Sequence, residues 1–147
     1  MKPLLVTMGD AAGIGPEIIV RAFERGALAG CVVVGDAAVL RRVVAVKGAV
    51  NGELNGARMI ALIDAPADLS AVPPGCLPVL VPAGLPTGLA TLPPGVIDGR
   101  NGAAAARCIE AAVRWVQSGE ASAIVTAPIH KEALAAANAC SISVWPG

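Results

Sequence analysis

Residues Met8 to Glu17, Met-Gly-Asp-Ala-Ala-Gly-Ile-Gly-Pro-Glu, constrain the fold more than any other stretch of the chain. An apolar run (Leu4, Leu5, Val6, Thr7) leads into them, and an amphipathic run from Pro16 to Gly26 follows. That order predicts a strand, a glycine-rich turn and a helix. Gly9, Gly13 and Gly15 allow positive φ angles and close approach of backbones. Pro16 suits the first helical position, where its missing N–H is not needed. The free amides and positive dipole end of that helix suit an anionic group. The spacing is not Gly-x-Gly-x-x-Gly, so this is not the usual dinucleotide fingerprint. Two readings stay open: a tight βα connection without a ligand, or the edge of a binding site.

The same alternation continues along the chain. Short apolar runs predict strands at Leu4–Thr7, Val32–Val34, Met59–Ile63, Leu77–Val81 and Ala123–Thr126, of the kind covered on both faces. Helices are expected at Pro16–Arg25, Ala37–Val46 and Ala103–Ser118. In the second, Arg41, Arg42 and Lys47 are expected to face solvent. In the third, Asn101 is expected as the N-cap and Gly119 as the C-terminal stop. Its polar residues Arg107, Glu110, Arg114 and Gln117 form one narrow stripe, with Glu110 and Arg114 at a favourable i, i+4 spacing. So little polar surface implies burial on most sides, against the sheet and a further element. Alternating βα units imply a three-layer α/β fold with a mainly parallel sheet. The Pro/Gly-rich stretch 82–99 is expected to be a long, stiff connection or an excursion from the core.

Composition excludes several classes of function. The chain has 147 residues, with Lys+Arg and Asp+Glu both 11, so no basic excess points to nucleic acid or an anionic membrane. Aromatic residues make up only 2%, which removes the stacking platforms single-strand binding requires. Between Asp68 and Asp98 no side chain is charged, yet prolines at 73, 74, 78, 82, 86, 93 and 94 break any membrane-spanning helix. The cysteines at 31, 76, 108 and 140 form no C-x-x-C pair, and there is a single histidine. Reduced, mostly buried thiols in a cytoplasmic protein are expected, with no signal peptide before the first strand.

A second turn resembles the first. Ala121 to Lys131 reads as a strand, a proline-containing turn and the start of a helix. Ligands in open α/β sheets collect outside the carboxyl ends of parallel strands. If the strands ending at Thr7 and Thr126 are parallel, Asp10, Thr126, His130 and Lys131 share one neighbourhood. Each also has a plainer reading. His130 serves either as a surface or capping histidine or as a site residue. Lys131 opposes the dipole of its own helix unless an anion compensates. Asp10 either caps its own turn or faces a ligand. Glu17 and Glu24 are expected on a solvated helix face.

With both turns in view, the chain resembles the 4-hydroxythreonine-4-phosphate dehydrogenase family of vitamin B6 (pyridoxal phosphate) biosynthesis. Gly9, Asp10, Ala12, Gly13, Ile14, Gly15, Pro16 and Glu17 match that family's opening turn, with Ala11 replacing its usual proline. Asn101-Gly102 matches an Asn-Gly pair that opens a helix, and Gly119-Glu120 and Thr126 to Lys131 match its next strand and turn. The wider fold implied is that of the isocitrate and isopropylmalate dehydrogenases. The resemblance covers the whole chain but only the family's N-terminal part, and the Ala139-Cys140-Ser141 stretch departs from the family pattern. It implies an incomplete member of a two-domain dehydrogenase subunit.

The implied reaction is oxidation of 4-phosphohydroxy-L-threonine by NAD(P), with decarboxylation. A divalent metal (Zn, Mg or Co) assists, and its ligands lie outside this chain. A cytoplasmic homodimer is implied as well. A threonate or erythronate phosphate fits the same motifs. A phosphate-binding acyltransferase-like protein and a non-enzymatic dimerisation module are the competing classes. Within the chain, His130 and Lys131 are the catalytic candidates. Gly9, Asp10, Gly13, Gly15 and Thr126 are the candidate edge for substrate, anion or cofactor. Taken alone, the chain is expected to show no dehydrogenase activity and no tight metal site.

Overall fold

The computed structural model describes residues 1–51 and 59–137. The predicted strands form one five-stranded, fully parallel sheet: β1 (Leu4–Thr7), β2 (Cys31–Val34), β3 (Ile60–Ile63), β4 (Leu77–Leu80) and β5 (Ala123–Thr126). Their spatial order is β3-β4-β2-β1-β5, so the first strand lies beside the last. Helices α1 (Gly15–Glu24), α2 (Ala37–Asn51), α3 (Gly99–Gln117) and α4 (Lys131–Ala136) complete the fold.

Period-two alternation sends the side chains of β1, β2 and β4 into two separate cores. Strand β5, expected to be covered on both faces, is instead exposed apart from half-buried Ile124, because it forms the edge of the sheet. Val6, Val33 and Val79 pack with Ile19 and Val20 of α1 and Leu40 and Val44 of α2. On the opposite face, Leu5, Val32, Val34 and Leu80 pack with Cys108, Ala111 and Ala112 of α3. The result is the expected three-layer α/β sandwich. Alanines let α3 and α4 cross closely: a Cβ at Gly102 would lie 2.0 Å from the Ala133 carbonyl oxygen.

Several local expectations need correction. Asn101 is not the N-cap of α3. Asp98 is, and its carboxylate accepts the Arg100 amide at 2.8 Å. The helix thus begins at Gly99, four residues earlier than expected, because the Asp side chain meets the amide two positions on. Glu110 pairs with Arg107 at 3.7 Å rather than with Arg114. Gly119 ends the helix as expected, at φ +79°. Glu24 is not simply solvated, because Lys47 of α2 pairs with it, while Glu17 pairs with Arg21 at 2.7 Å. Only Cys108 is buried; Cys31 and Cys76 are half-buried, and Cys140 lies outside the described residues, as does the Ala139-Cys140-Ser141 stretch.

The proline-rich segment after β4 runs along the α1–α2 side, where a short 3-10 turn (Leu89–Thr91) places Leu89 and Leu92 in the core. Among the described residues no helix is long and apolar enough to cross a membrane.

Candidate functional site

Thr7 and Thr126 are partners in the β1–β5 register, so both turns leave the sheet at the same edge. A hydrogen bond from the Ala127 amide to the Thr7 carbonyl (3.0 Å) continues the ladder, and the Asp10 amide donates to the Pro128 carbonyl at 3.1 Å. The two turns are therefore stitched together by their backbones. Asp10 and Thr126 do share one neighbourhood, with His130 and Lys131 just beyond.

The glycine-rich turn is built by close approach. Gly9 has φ +74°, and a Cβ there would lie 2.4 Å from the Pro128 carbonyl oxygen. Gly15 has no such φ, but a Cβ would come within 2.3 Å of the Met8 carbonyl oxygen. Gly13 is under milder constraint: its φ is ordinary, and a Cβ there would meet the Asp10 Cβ at 3.3 Å, a contact that a shift of a few tenths of an ångström relieves. Thus, of the three glycines, only Gly9 uses a positive φ. Asp10 is buried, and its Oδ1 accepts the Ala12 amide at 2.8 Å. It acts as the keystone of its own turn.

Helix α1 begins at Gly15, with Pro16 second, and no side chain caps it. Of its first residues, Gly15 and Pro16 are buried and Pro16 has no N–H, while Ile14 just before them is 62% exposed. An uncapped helix start leaves backbone donors that suit an anionic group. Lys131 and His130 lie exposed at the start of α4, His130 as an N-cap residue without a side-chain cap bond. Among the described residues no three His, Cys, Asp or Glu side chains converge as metal ligands.

Other residues at this edge were not singled out by their sequence. Asp36, directly after β2, caps α2 by accepting the Val39 amide at 3.0 Å. The strand-Gly-Asp-helix order around Gly35 was the signal available. Arg42 does not face solvent as expected. It is half-buried, and its guanidinium donates to the carbonyls of Ala90, Leu92 and Ala11 at 2.8, 3.0 and 3.1 Å. Asn101 is fully buried at the start of α3, and among the described residues neither end of its amide finds a partner; the Thr7 hydroxyl is likewise buried and without a partner among them.

Burial, and secondarily the charge of Asp36, push the Cys108 thiol up to about 12, so it is no nucleophile at neutral pH. Hydrogen bonds from the Arg100 side chain and then its backbone hold the Asp98 carboxyl below its usual range.

A family model described as pyridoxal phosphate biosynthetic protein PdxA matches residues 27–142. The chain belongs to the PdxA family. Among curated relatives, it is 40% identical over 149 residues to a D-threonate 4-phosphate dehydrogenase of Pectobacterium atrosepticum, covering 99% of this chain and 41% of that protein. It is 41% identical over 137 residues to a 4-hydroxythreonine-4-phosphate dehydrogenase of Beijerinckia indica, covering 92% of this chain and 37% of that one. A crystal structure of 4-hydroxythreonine-4-phosphate dehydrogenase from Klebsiella pneumoniae superposes with a TM-score of 0.79 at 39% identity, over 100% of this chain and 42% of its own. The chain thus spans about two fifths of the length of these relatives.

Proposed function

We propose that the protein containing this chain oxidises 4-phosphohydroxy-L-threonine with NAD, with decarboxylation of the product, in pyridoxal phosphate biosynthesis. Membership of the PdxA family carries the reading, and the uncapped start of α1 beside the second turn supports it. The nicotinamide, when bound, takes up the hydride. The roles we assign to this chain are confined to one sheet edge. The N-terminal end of α1, entered through Gly13 and Gly15, receives an anionic group of substrate or cofactor, with Gly9, Asp10 and Thr126 holding the backbone around it. Lys131 adds positive charge from the second turn, and His130 stands beside it as the titratable group. A divalent metal (Zn, Mg or Co) completes the proposal, held by residues outside those described. We also propose a cytoplasmic homodimer, consistent with the exposed Val125 and Ile129 near this edge.

D-Threonate 4-phosphate is the second reading, favoured by the 40% identity to the Pectobacterium enzyme. NADH formation with each substrate, in the presence of zinc, magnesium or cobalt, distinguishes the two. Faster turnover of the hydroxythreonine phosphate is expected. Absence of NADH with every phosphorylated hydroxy acid would sink both.

A further inference from the structure

We infer that Arg42 is a positioning residue that clamps the glycine-rich turn to the proline-rich segment and so sets the shape of the anion-receiving edge. The inference rests on the proposed role of that edge. Arg42 sits one and a half turns into α2, and its three hydrogen bonds reach two chain segments far from it in sequence. One terminal nitrogen takes the Ala90 and Leu92 carbonyls, and the other takes Ala11. Beside this fork, the Gly95 amide donates to the Ala12 carbonyl at 2.7 Å, joining the same two segments a second time. Together these bonds turn the Ala11 and Ala12 carbonyls toward the protein. The amides that follow them, of Ala12 and Gly13, are taken by the Asp10 carboxylate and carbonyl at 2.8 and 3.1 Å, so the whole turn is held as one unit before α1 begins.

The charge on Arg42 has no carboxylate to answer it among the described residues. A half-buried guanidinium satisfied only by carbonyls is held for geometry: its planar fork spans acceptors that a single ammonium cannot. Arg42 also lines a cleft of about 440 Å³ between α1 and α2, whose rim includes Ala12, Gly13 and Pro94. The clamp therefore fixes one wall of that cleft and the turn above it in one piece.

The test compares Arg42→Ala and Arg42→Lys in the full-length protein. Hydrogen exchange is expected to quicken about tenfold or more in both the 9–15 and the 89–96 segments, with the β2 and β4 amides unchanged. Lysine is expected not to restore either. In the dehydrogenase assay, the KM for NAD or for the phosphorylated substrate is expected to rise about tenfold, with kcat within about threefold. Faster exchange in only one segment, or equally across the sheet, would overturn the clamp. So would faster exchange with both KM values unchanged. If the wild-type protein forms no NADH, the proposed function fails, while the paired exchange of the two segments still decides whether Arg42 couples them. Should Arg42→Ala not fold, Arg42→Lys carries the same comparison.

Discussion

The two turns at the carboxyl edge are made on opposite plans. The first, from Met8 to Gly15, is buried through Ala12 and held from four sides: by β2, by the second turn, by Arg42 and by the Gly95 amide. The second, from Pro128 to Lys131, is exposed throughout and touches the rest of the edge mainly through one carbonyl. The first has almost no freedom and one ionisable side chain, Asp10, spent on its own backbone. The second carries the titratable and cationic groups and little that fixes them. Rigid backbone donors lie on one side, and adjustable charge on the other.

Adding a methyl group to the constrained side should have the largest effect. Gly15→Ala drives a Cβ against the Met8 carbonyl, and Gly102→Ala forces α3 from α4. Each is expected to destabilise by about 3 kcal/mol or more, or to prevent folding, as measured by chemical denaturation. Gly13→Ala serves as the control and should stay within about 1 kcal/mol. Equal losses at Gly13 and Gly15 would erase the contrast.

The paired threonines give a sharper and smaller test. Thr7 buries a hydroxyl without a partner among the described residues, whereas Thr126 at the same register is exposed. Thr7→Val is expected to stabilise by about 1 kcal/mol, because an orphaned polar group is removed at constant shape. Thr126→Val should change stability by less than about 0.5 kcal/mol. A loss of stability at Thr7 would reveal a partner for its hydroxyl.

The smallest effect on stability is expected where function is proposed. His130→Ala and Lys131→Ala should each leave the unfolding midpoint nearly unchanged, within about 0.5 kcal/mol. Lys131→Ala should nevertheless weaken the binding of a phosphorylated substrate, measured by calorimetry. Destabilisation of more than about 1 kcal/mol by either would mean that the second turn is also structural.

Much of this was legible in the sequence. Continuous apolar runs located every strand to within a residue, although only the inner strands β1, β2 and β4 are covered on both faces, while the edge strand β5 is largely exposed. The shared edge followed from parallel pairing alone. Long-range contacts were less legible. Nothing local distinguishes Arg42 from Arg41, and only the return of residues 90–92 beside Ala11 brings three carbonyls to one of them. Asn101 has the right chemistry for a cap, but Asp98 meets the first amides sooner. The need for Gly15 is written in the position of Met8, and a turn motif shows its glycines without showing which neighbour demands each one.

The pairing of β1 with β5 has a consequence for how the molecule is assembled in time. The Ser122 hydroxyl binds the Pro3 carbonyl across 119 residues of chain. That contact and the strand ladder beside it close the longest loop in the described structure. Loop-closure entropy must be met before such a pairing is rewarded, and topologies of this kind fold slowly. During synthesis, β1 therefore cannot complete its second ladder until residues 123–126 have been made. The glycine-rich turn cannot reach its final form before then, since its own amide bonds to Pro128. The two turns mature in a single late event.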